Sequence, residues 1–281
     1  MTVGIVTDSA CDLPDGLAAR LGIEVVPLYI NFGSESYLDG IELSREAFYA
    51  RLVRAEHLPT TATPGPKRFA QAYERLASAG ATEILSIHIA RDLSALIDGA
   101  QLAAREAPVP VTVFDAGSLS LGVGFLAWSA AEAAADGAAV AQILPLLRDL
   151  RKRTYVVAVL DTLEYLRRSG RMNRVLATLG GWLQMKPLLK MSDGVSAAEK
   201  IRTSEAALDR LVALFEEKLP LEKVALVHTH ALGELEELRR RLEPLLPADG
   251  VFSVDVTPAL GTHLGPNAVG FACVSQGVGA H

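Results

Sequence analysis

The chain has 281 residues, half of them hydrophobic, a net charge of −6 and a mean hydropathy of +0.26. That length and apolar content suit one large or two medium domains with real cores, and exclude a disordered, collagenous or disulfide-stapled chain. The negative balance argues against nucleic-acid binding over the whole surface.

Val3–Thr7 reads as a short apolar strand, followed by a loop through Thr7-Asp8-Ser9 and Asp12-Leu13-Pro14 and a helix to about Leu21. Glu24–Phe32 reads as a strand, Gly33–Gly40 as a turn or hairpin, and Ser44–Arg54 as a helix capped by Ser44. A polar, proline-rich loop, Leu58–Pro66, leads into a helix to about Ala79. Next come a strand at Ile84–Ile89, a helix from near Ser94, a strand at Val109–Asp115 and two alanine-rich helices to about Arg153. This βα alternation predicts a parallel sheet flanked by helices.

The pattern changes after Arg153. Tyr155–Val159 reads as a strand, while Asp161–Arg168 and Met172–Leu179 read as helices. Leu188–Met191 and Val195–Ile201, joined by Ser192-Asp193-Gly194, read as a β-hairpin. A helix at Ser204–Lys218, a strand at Val224–His230, a charged helix at Leu232–Leu245 and strands at Phe252–Val256 and Val269–Val274 complete the chain. Hairpins mixed with helices predict a smaller α+β domain, so the expected division is 1–153 and 154–281.

Two cysteines, Cys11 and Cys273, make neither a CxxC motif nor a disulfide framework. The N-terminus lacks a basic region and cleavage site of the secretory kind. The most apolar stretch, Leu119–Leu147, is interrupted by Glu132 and Asp136 and reads as buried helix. The expectation is a cytoplasmic protein without an integral membrane segment. Residues Arg148–Arg174 hold eight bases against three acids, a local +5 that suits either an acidic partner or a solvated helix end.

No phosphate-binding Gly-x-x-x-x-Gly-Lys-Ser/Thr loop and no Gly-x-Ser-x-Gly elbow is present. Gly122-Val123-Gly124-Phe125-Leu126-Ala127 matches the loose dinucleotide pattern but starts seven residues past the strand end, so close helix packing is the preferred reading. His228 and His230 fall on one face of a predicted strand without an implied third ligand, so no metal is expected. His57 and His88 read as structural. Asp8 and Ser9 lie where the first strand ends, the edge that faces the ligand crevice in open α/β sheets; capping of the next helix by Ser9 or Asp12 is the other reading, preferred for Asp12, while Asp8 stays open.

Hydroxyls cluster at loop ends: Thr60, Thr61 and Thr63 before one helix, and Ser94 at the start of another. Such groups either cap helices or hold an anion's oxygens. Gly261-Thr262-His263-Leu264-Gly265-Pro266 reads as a glycine- and proline-rich turn presenting an imidazole, which either contacts a ligand or sits idle.

Along the chain stand, in order, Thr7-Asp8-Ser9 with Asp12-Leu13, Pro59-Thr60-Thr61 with Pro64, Leu93-Ser94, Val113-Phe114-Asp115, Leu163–Met172, Lys186–Leu189, Ile201-Arg202-Thr203 and Gly261–Pro266. Together these segments resemble the DegV family of bacterial fatty-acid-binding proteins. The resemblance implies a two-domain α/β fold, an N-terminal parallel sheet flanked by helices plus a smaller α+β C-terminal domain. It implies a buried long-chain fatty acid such as palmitate, stearate or oleate, whose carboxyl is held by Thr61 and Ser94 with His263 close by and with Thr63 and Thr262 as neighbouring hydroxyls. It further implies a carrier that is not itself the catalyst, uses no cofactor, and presents the acyl carboxylate to an ATP-dependent fatty acid kinase, with Arg171 and Arg202 as candidates for docking that partner or steadying the phosphate. The usual Thr-Ser-Gln-Pro-Ser run reads Thr61-Ala62-Thr63-Pro64-Gly65 here, and the usual Leu-Ser-Gly-Thr reads Leu93-Ser94-Ala95-Leu96. The alternative is a hydrolase or transferase using His263 with Ser94.

Overall fold

The computed structural model describes residues 2–172, 185–247 and 250–277. Strands β1 (Val3–Asp8), β2 (Ile23–Val26), β6 (Glu83–His88) and β7 (Val111–Asp115) form a parallel sheet in the order β2-β1-β6-β7. Helices α3 (Pro66–Ser78) and α4 (Leu96–Ala104) pack together, as do α5 (Leu121–Ala135) and α6 (Val140–Arg153). The predicted parallel sheet flanked by helices is therefore present.

A second, six-stranded sheet has the order β10-β9-β8-β13-β11-β12. Its strands are β8 (Thr154–Val159), β9 (Lys186–Ser192), β10 (Val195–Ile201), β11 (Leu221–His228), β12 (Ser253–Asp255) and β13 (Val269–Ser275), all beyond Arg153. The predicted β9–β10 hairpin is found, with Asp193 and Gly194 at φ 46° and 80° making its turn. Alternation divides this sheet's two faces. Val157, Val159 and Phe271 pack with Leu211, Leu214, Leu235 and Leu238, which come from the helices Ser204–Glu216 and Leu232–Leu242. Val156 instead joins a core shared with the first sheet, as do Val227 and Ala272. Helix α5 packs against strands of both sheets.

The expected single strand Glu24–Phe32 divides. Pro27 has no N–H for a ladder. The chain leaves the parallel sheet after Val26 and starts β3 (Tyr29–Phe32), which pairs antiparallel with β4 (Glu35–Leu38) and β5 (Thr60–Ala62). Part of the predicted proline-rich loop is thus an edge strand, and pairing Ile30 with Thr61 sets Thr61's position. Ser44 does cap α2 (Arg45–Leu52), accepting from the Ala47 N–H at 3.2 Å.

Three further expectations are corrected. The residues Gly261–Leu264 are not a turn but the end of a helix, Pro258–Leu264. Pro258 suits its first turn, and Gly265, at φ 75°, ends it. His228 and His230 do not share a strand face, because β11 stops at His228 and His230 sits at φ 55° with its side chain half-exposed. Helix Asp161–Arg168 is shorter than expected, running over Glu164–Arg168. Almost all of the predicted helix Met172–Leu179 lies outside the described residues.

Candidate functional site

A cavity lies between the two sheets and encloses about 1170 Å³ of space not filled by atoms, its open mouth included. Its walls are largely apolar: Leu28, Ile89 and Leu119 from the first half of the chain, with Val156, Ala158, Leu189, Met191 and Val227 from the second sheet. Thr61, Thr63, Ser94, Arg171 and His263, which the sequence singled out from distant segments, all line it.

His263 lies in the last turn of the helix Pro258–Leu264, and its Nε2 is 3.0 Å from the Thr61 Oγ1, 202 positions away in the chain. Burial lowers the imidazole's pKa to about 4, with the Arg171 cation acting in the same direction. The ring is therefore neutral near pH 7, with one N–H donor and one acceptor nitrogen. Its Nδ1 is buried and has no hydrogen-bond partner among the described residues. If Thr61 donates to Nε2, the proton resides on Nδ1, which is then a donor for an oxyanion.

Ser94 does not cap the helix that follows. Ala95 holds the N-cap position of α4, so the Ser94 hydroxyl is left to the cavity. Similarly, Gly65 rather than a threonine is the N-cap of α3. Thr63 is exposed and marks the mouth. Arg171 lines the cavity while donating to the Ser169 carbonyl at 2.8 Å.

One expected ligand-binding residue falls elsewhere, and of the two expected docking residues only Arg171 lines the cavity. The Thr262 hydroxyl donates to the Pro258 carbonyl at 2.8 Å within its own helix turn and is not part of the cavity wall. Arg202 is exposed just past β10, away from the cavity lining. The basic run also resolves into ion pairs: Arg151 with Asp193, Arg153 with Asp149 and Glu222, and both Arg167 and Arg168 with Glu164.

The DegV family model matches residues 2–276. A DegV domain-containing protein of Streptomyces coelicolor is 36% identical over 98% of this chain and 99% of its own length. The chain belongs to the DegV family. A fatty-acid-binding DegV family protein from Thermus thermophilus superimposes with a TM-score of 0.89 at 32% identity, over 98% of this chain and 100% of that one. DegV of Bacillus subtilis, a fatty-acid-binding protein, gives 0.87 at 29% identity, over 98% and 100%.

The DegV fold here contains a buried polar framework that sequence reading underestimated. Asp8, left open between ligand and cap, is a hub: Oδ1 accepts from the Ala10 N–H, and Oδ2 accepts from Ile89 N–H and lies 2.9 Å from His88 Nδ1. His88 Nε2 in turn lies 2.7 Å from Ser86 Oγ, which accepts from the Tyr73 hydroxyl. This Ser–His–Asp row has the spacing of a nucleophilic triad, yet all three side chains are sealed from solvent. It binds the end of β1 to the segment that leads to Ser94. Ser86 and His88 alternate on one strand, a spacing that was visible, but their partner Asp8 is 80 residues away.

Asp12 and Asp39 make a second buried pair. Asp12 accepts from Ser120 Oγ and, at 2.8 Å, from Thr257 N–H. Asp39 Oδ2 accepts from Ser9 Oγ at 2.7 Å and Ala259 N–H at 3.3 Å, while its Oδ1 is buried without a partner among the described residues. Burial pushes Asp39 up to about 7, the Asp12 carboxylate adding to the rise and the Ser9 hydroxyl opposing it. Relative to a free value of 3.8, the folded protein therefore holds this proton more tightly than the unfolded chain. The associated stability is full below pH 3.8 and is lost as pH rises to about 7. Asp39→Asn, which does not titrate, should gain on the parent by up to about 4 kcal/mol across that window and level off above it. Denaturant unfolding of both proteins at a series of pH values checks this; parallel stability curves would remove the assignment.

Proposed function

We propose that this protein binds a long-chain fatty acid in the cavity and presents its carboxyl group to a separate ATP-dependent fatty acid kinase, which forms the acyl phosphate. One observation carries the reading: an apolar cavity whose wall includes the Thr61, Thr63 and Ser94 hydroxyls, the Arg171 cation and the neutral His263 imidazole, drawn together from residues 61 to 263. The fatty-acid binding of the Thermus and Bacillus relatives supports it. So does the energetics. Burying about 14 methylenes at ~0.8 kcal/mol each contributes at most roughly 11 kcal/mol, from which the ordering of ligand and chain subtracts. A carboxylate taken from water without partners would cost several kcal/mol, so it needs the Ser94 hydroxyl and whichever of the Thr61 hydroxyl and His263 Nδ1 keeps a free proton, since their shared hydrogen bond uses the other.

In this reading the ligand is palmitate, stearate or oleate, the protein is a cytoplasmic carrier rather than an enzyme, and the halves 1–153 and 154–281 are two domains sharing one ligand wall. Ser94 and the hydrogen-bonded pair Thr61–His263 hold the carboxyl, with Thr63 at the mouth where the partner gains access. The hydrolase alternative is less well supported, because the hydrogen bond of His263 goes to Thr61 and not to Ser94.

Solvent extraction and mass spectrometry of protein purified from bacteria should yield a long-chain fatty acid. Repeated lipid-free preparations that also ignore added oleate would overturn the reading. Combined Thr61→Val and Ser94→Ala should weaken oleate binding by about 1–3 kcal/mol; unchanged affinity would make those hydroxyls bystanders. For the kinase step, Arg171→Ala should retain fatty acid yet lose acyl-phosphate formation when kinase and ATP are supplied. Normal turnover with that variant would exclude Arg171 from docking and leave the exposed Arg202 to be tested in the same way.

A further inference from the structure

The helix Pro258–Leu264 is seven residues long and has no capping side chain of its own. So short a helix does not hold itself in place. Of its opening residues, Pro258 has no N–H, and the two amides beside it are both taken from far away. Thr257 N–H donates to Asp12, 245 positions distant, and Ala259 N–H to Asp39, 220 positions distant. The acceptors are themselves held: Ser9 donates to Asp39, Ser120 to Asp12, and the Thr257 hydroxyl returns to the Ser9 carbonyl at 3.0 Å.

We infer that Asp12 and Asp39 are positioning residues for His263, fastening the first turn of the helix that carries it and so setting the imidazole against Thr61. His263 lies four residues beyond Ala259, one helical turn, so a displaced first turn displaces the ring. Buried carboxylates are a costly way to satisfy two amides that a serine or water could serve, and a cost in stability is what a preorganised site accepts. The underside of the helix is equally constrained: a methyl on Gly261 would lie 2.6 Å from the Tyr49 hydroxyl oxygen. The consequence for ligand affinity rests on the fatty-acid reading above; the placement of the ring does not.

The test compares Asp39→Ala, which removes the acceptor, with Asp39→Asn, which keeps one, each alone and with His263→Ala. Oleate affinity, thermal midpoint and the His263 ring signals in the NMR spectrum of delipidated protein are read together. The expected result is roughly a tenfold loss of oleate affinity for Asp39→Ala, rescue to within about threefold by Asp39→Asn, and no further loss from Asp39→Ala once His263 is alanine. The ring signals should move with Asp39→Ala and not with Asp39→Asn. A lowered thermal midpoint with unmoved ring signals and unchanged affinity would overturn the inference, as would a full affinity loss persisting in the His263→Ala background. Should Asp39→Ala not fold, Ser9→Ala, which releases Asp39 from its other partner, is read by the same ring signals and affinity. If the parent protein itself does not bind oleate, the fatty-acid reading fails, while the ring signals still decide the positioning.

Discussion

Ala158→Phe should leave the protein folded and reduce stearate binding at least a hundredfold, about 3 kcal/mol or more. Ala158 lies on the cavity face of β8, between Val156 and Leu160, and is only partly buried because it faces the cavity. In the ladder it stands opposite Leu189 on one side and Gly270 on the other. Leu160 packs in the cluster that Leu264, next to His263, joins, whereas Val156 stands opposite Met191. At a rise of about 3.3 Å per residue, Val156 and Leu160 are roughly 13 Å apart, with Ala158 midway. A phenyl ring there divides the cavity, so carbons beyond the first several lose their burial at ~0.8 kcal/mol each. Calorimetric titration with stearate and with a short-chain acid provides the check. The short acid should suffer far less, and equal retention of stearate would mean that the acyl chain does not run along this face.

Gly270→Ala should destabilise the protein by about 3 kcal/mol or more, at the upper end of what overpacking costs. The added methyl would lie 2.0 Å from the Val157 carbonyl oxygen and 2.6 Å from the Ala158 Cα. Both are backbone atoms of β8, and neither can rotate away as a side chain does. The ladder that pairs Val269 with Val159 and Phe271 with Val157 would have to part in the centre of the six-stranded sheet. Gly4→Ala is the control, since its methyl first meets the Leu76 side chain, at 3.0 Å, which can shift. Denaturant unfolding should separate the two variants clearly; a loss below about 1 kcal/mol for Gly270→Ala would show that the strands tolerate the spread. Gly122 and Gly124, which match a loose dinucleotide pattern, serve a related purpose: methyls on them would strike Ser118 Oγ and the Cys11 carbonyl, so they allow close helix packing.

Much of the architecture was legible because its causes are local. Apolar runs such as Val3–Thr7 and Ile84–Ile89 form strands whatever their partners, and Ser44 caps its helix through a bond spanning three residues. Pro27, whose missing N–H divides the expected strand, was a readable signal as well. The errors fall where the deciding partner is remote. Gly261–Leu264 looks like a turn by its glycines and neighbouring proline, yet it is helical, with Asp12 and Asp39 satisfying its first amides. Thr262, chosen as a cavity hydroxyl, turns back into that same helix. His88 looked isolated because its partner, Asp8, lies on the neighbouring strand of the parallel sheet.

The order of residues alone determined that this chain alternates strands and helices up to Arg153, changes pattern after it, and carries the motifs by which it resembles the DegV family. Hydrophobic periodicity and short-range capping act within a few residues, so they are written directly in the chain. Only the tertiary structure decided that Thr61 meets His263, that Ser94 is spared from capping, that Arg202 stands away from the cavity, and that two buried carboxylates hold the helix behind the imidazole. Those outcomes depend on strand pairing and burial across up to 245 positions, where dielectric and distance, not sequence spacing, set which groups bond and which proton stays.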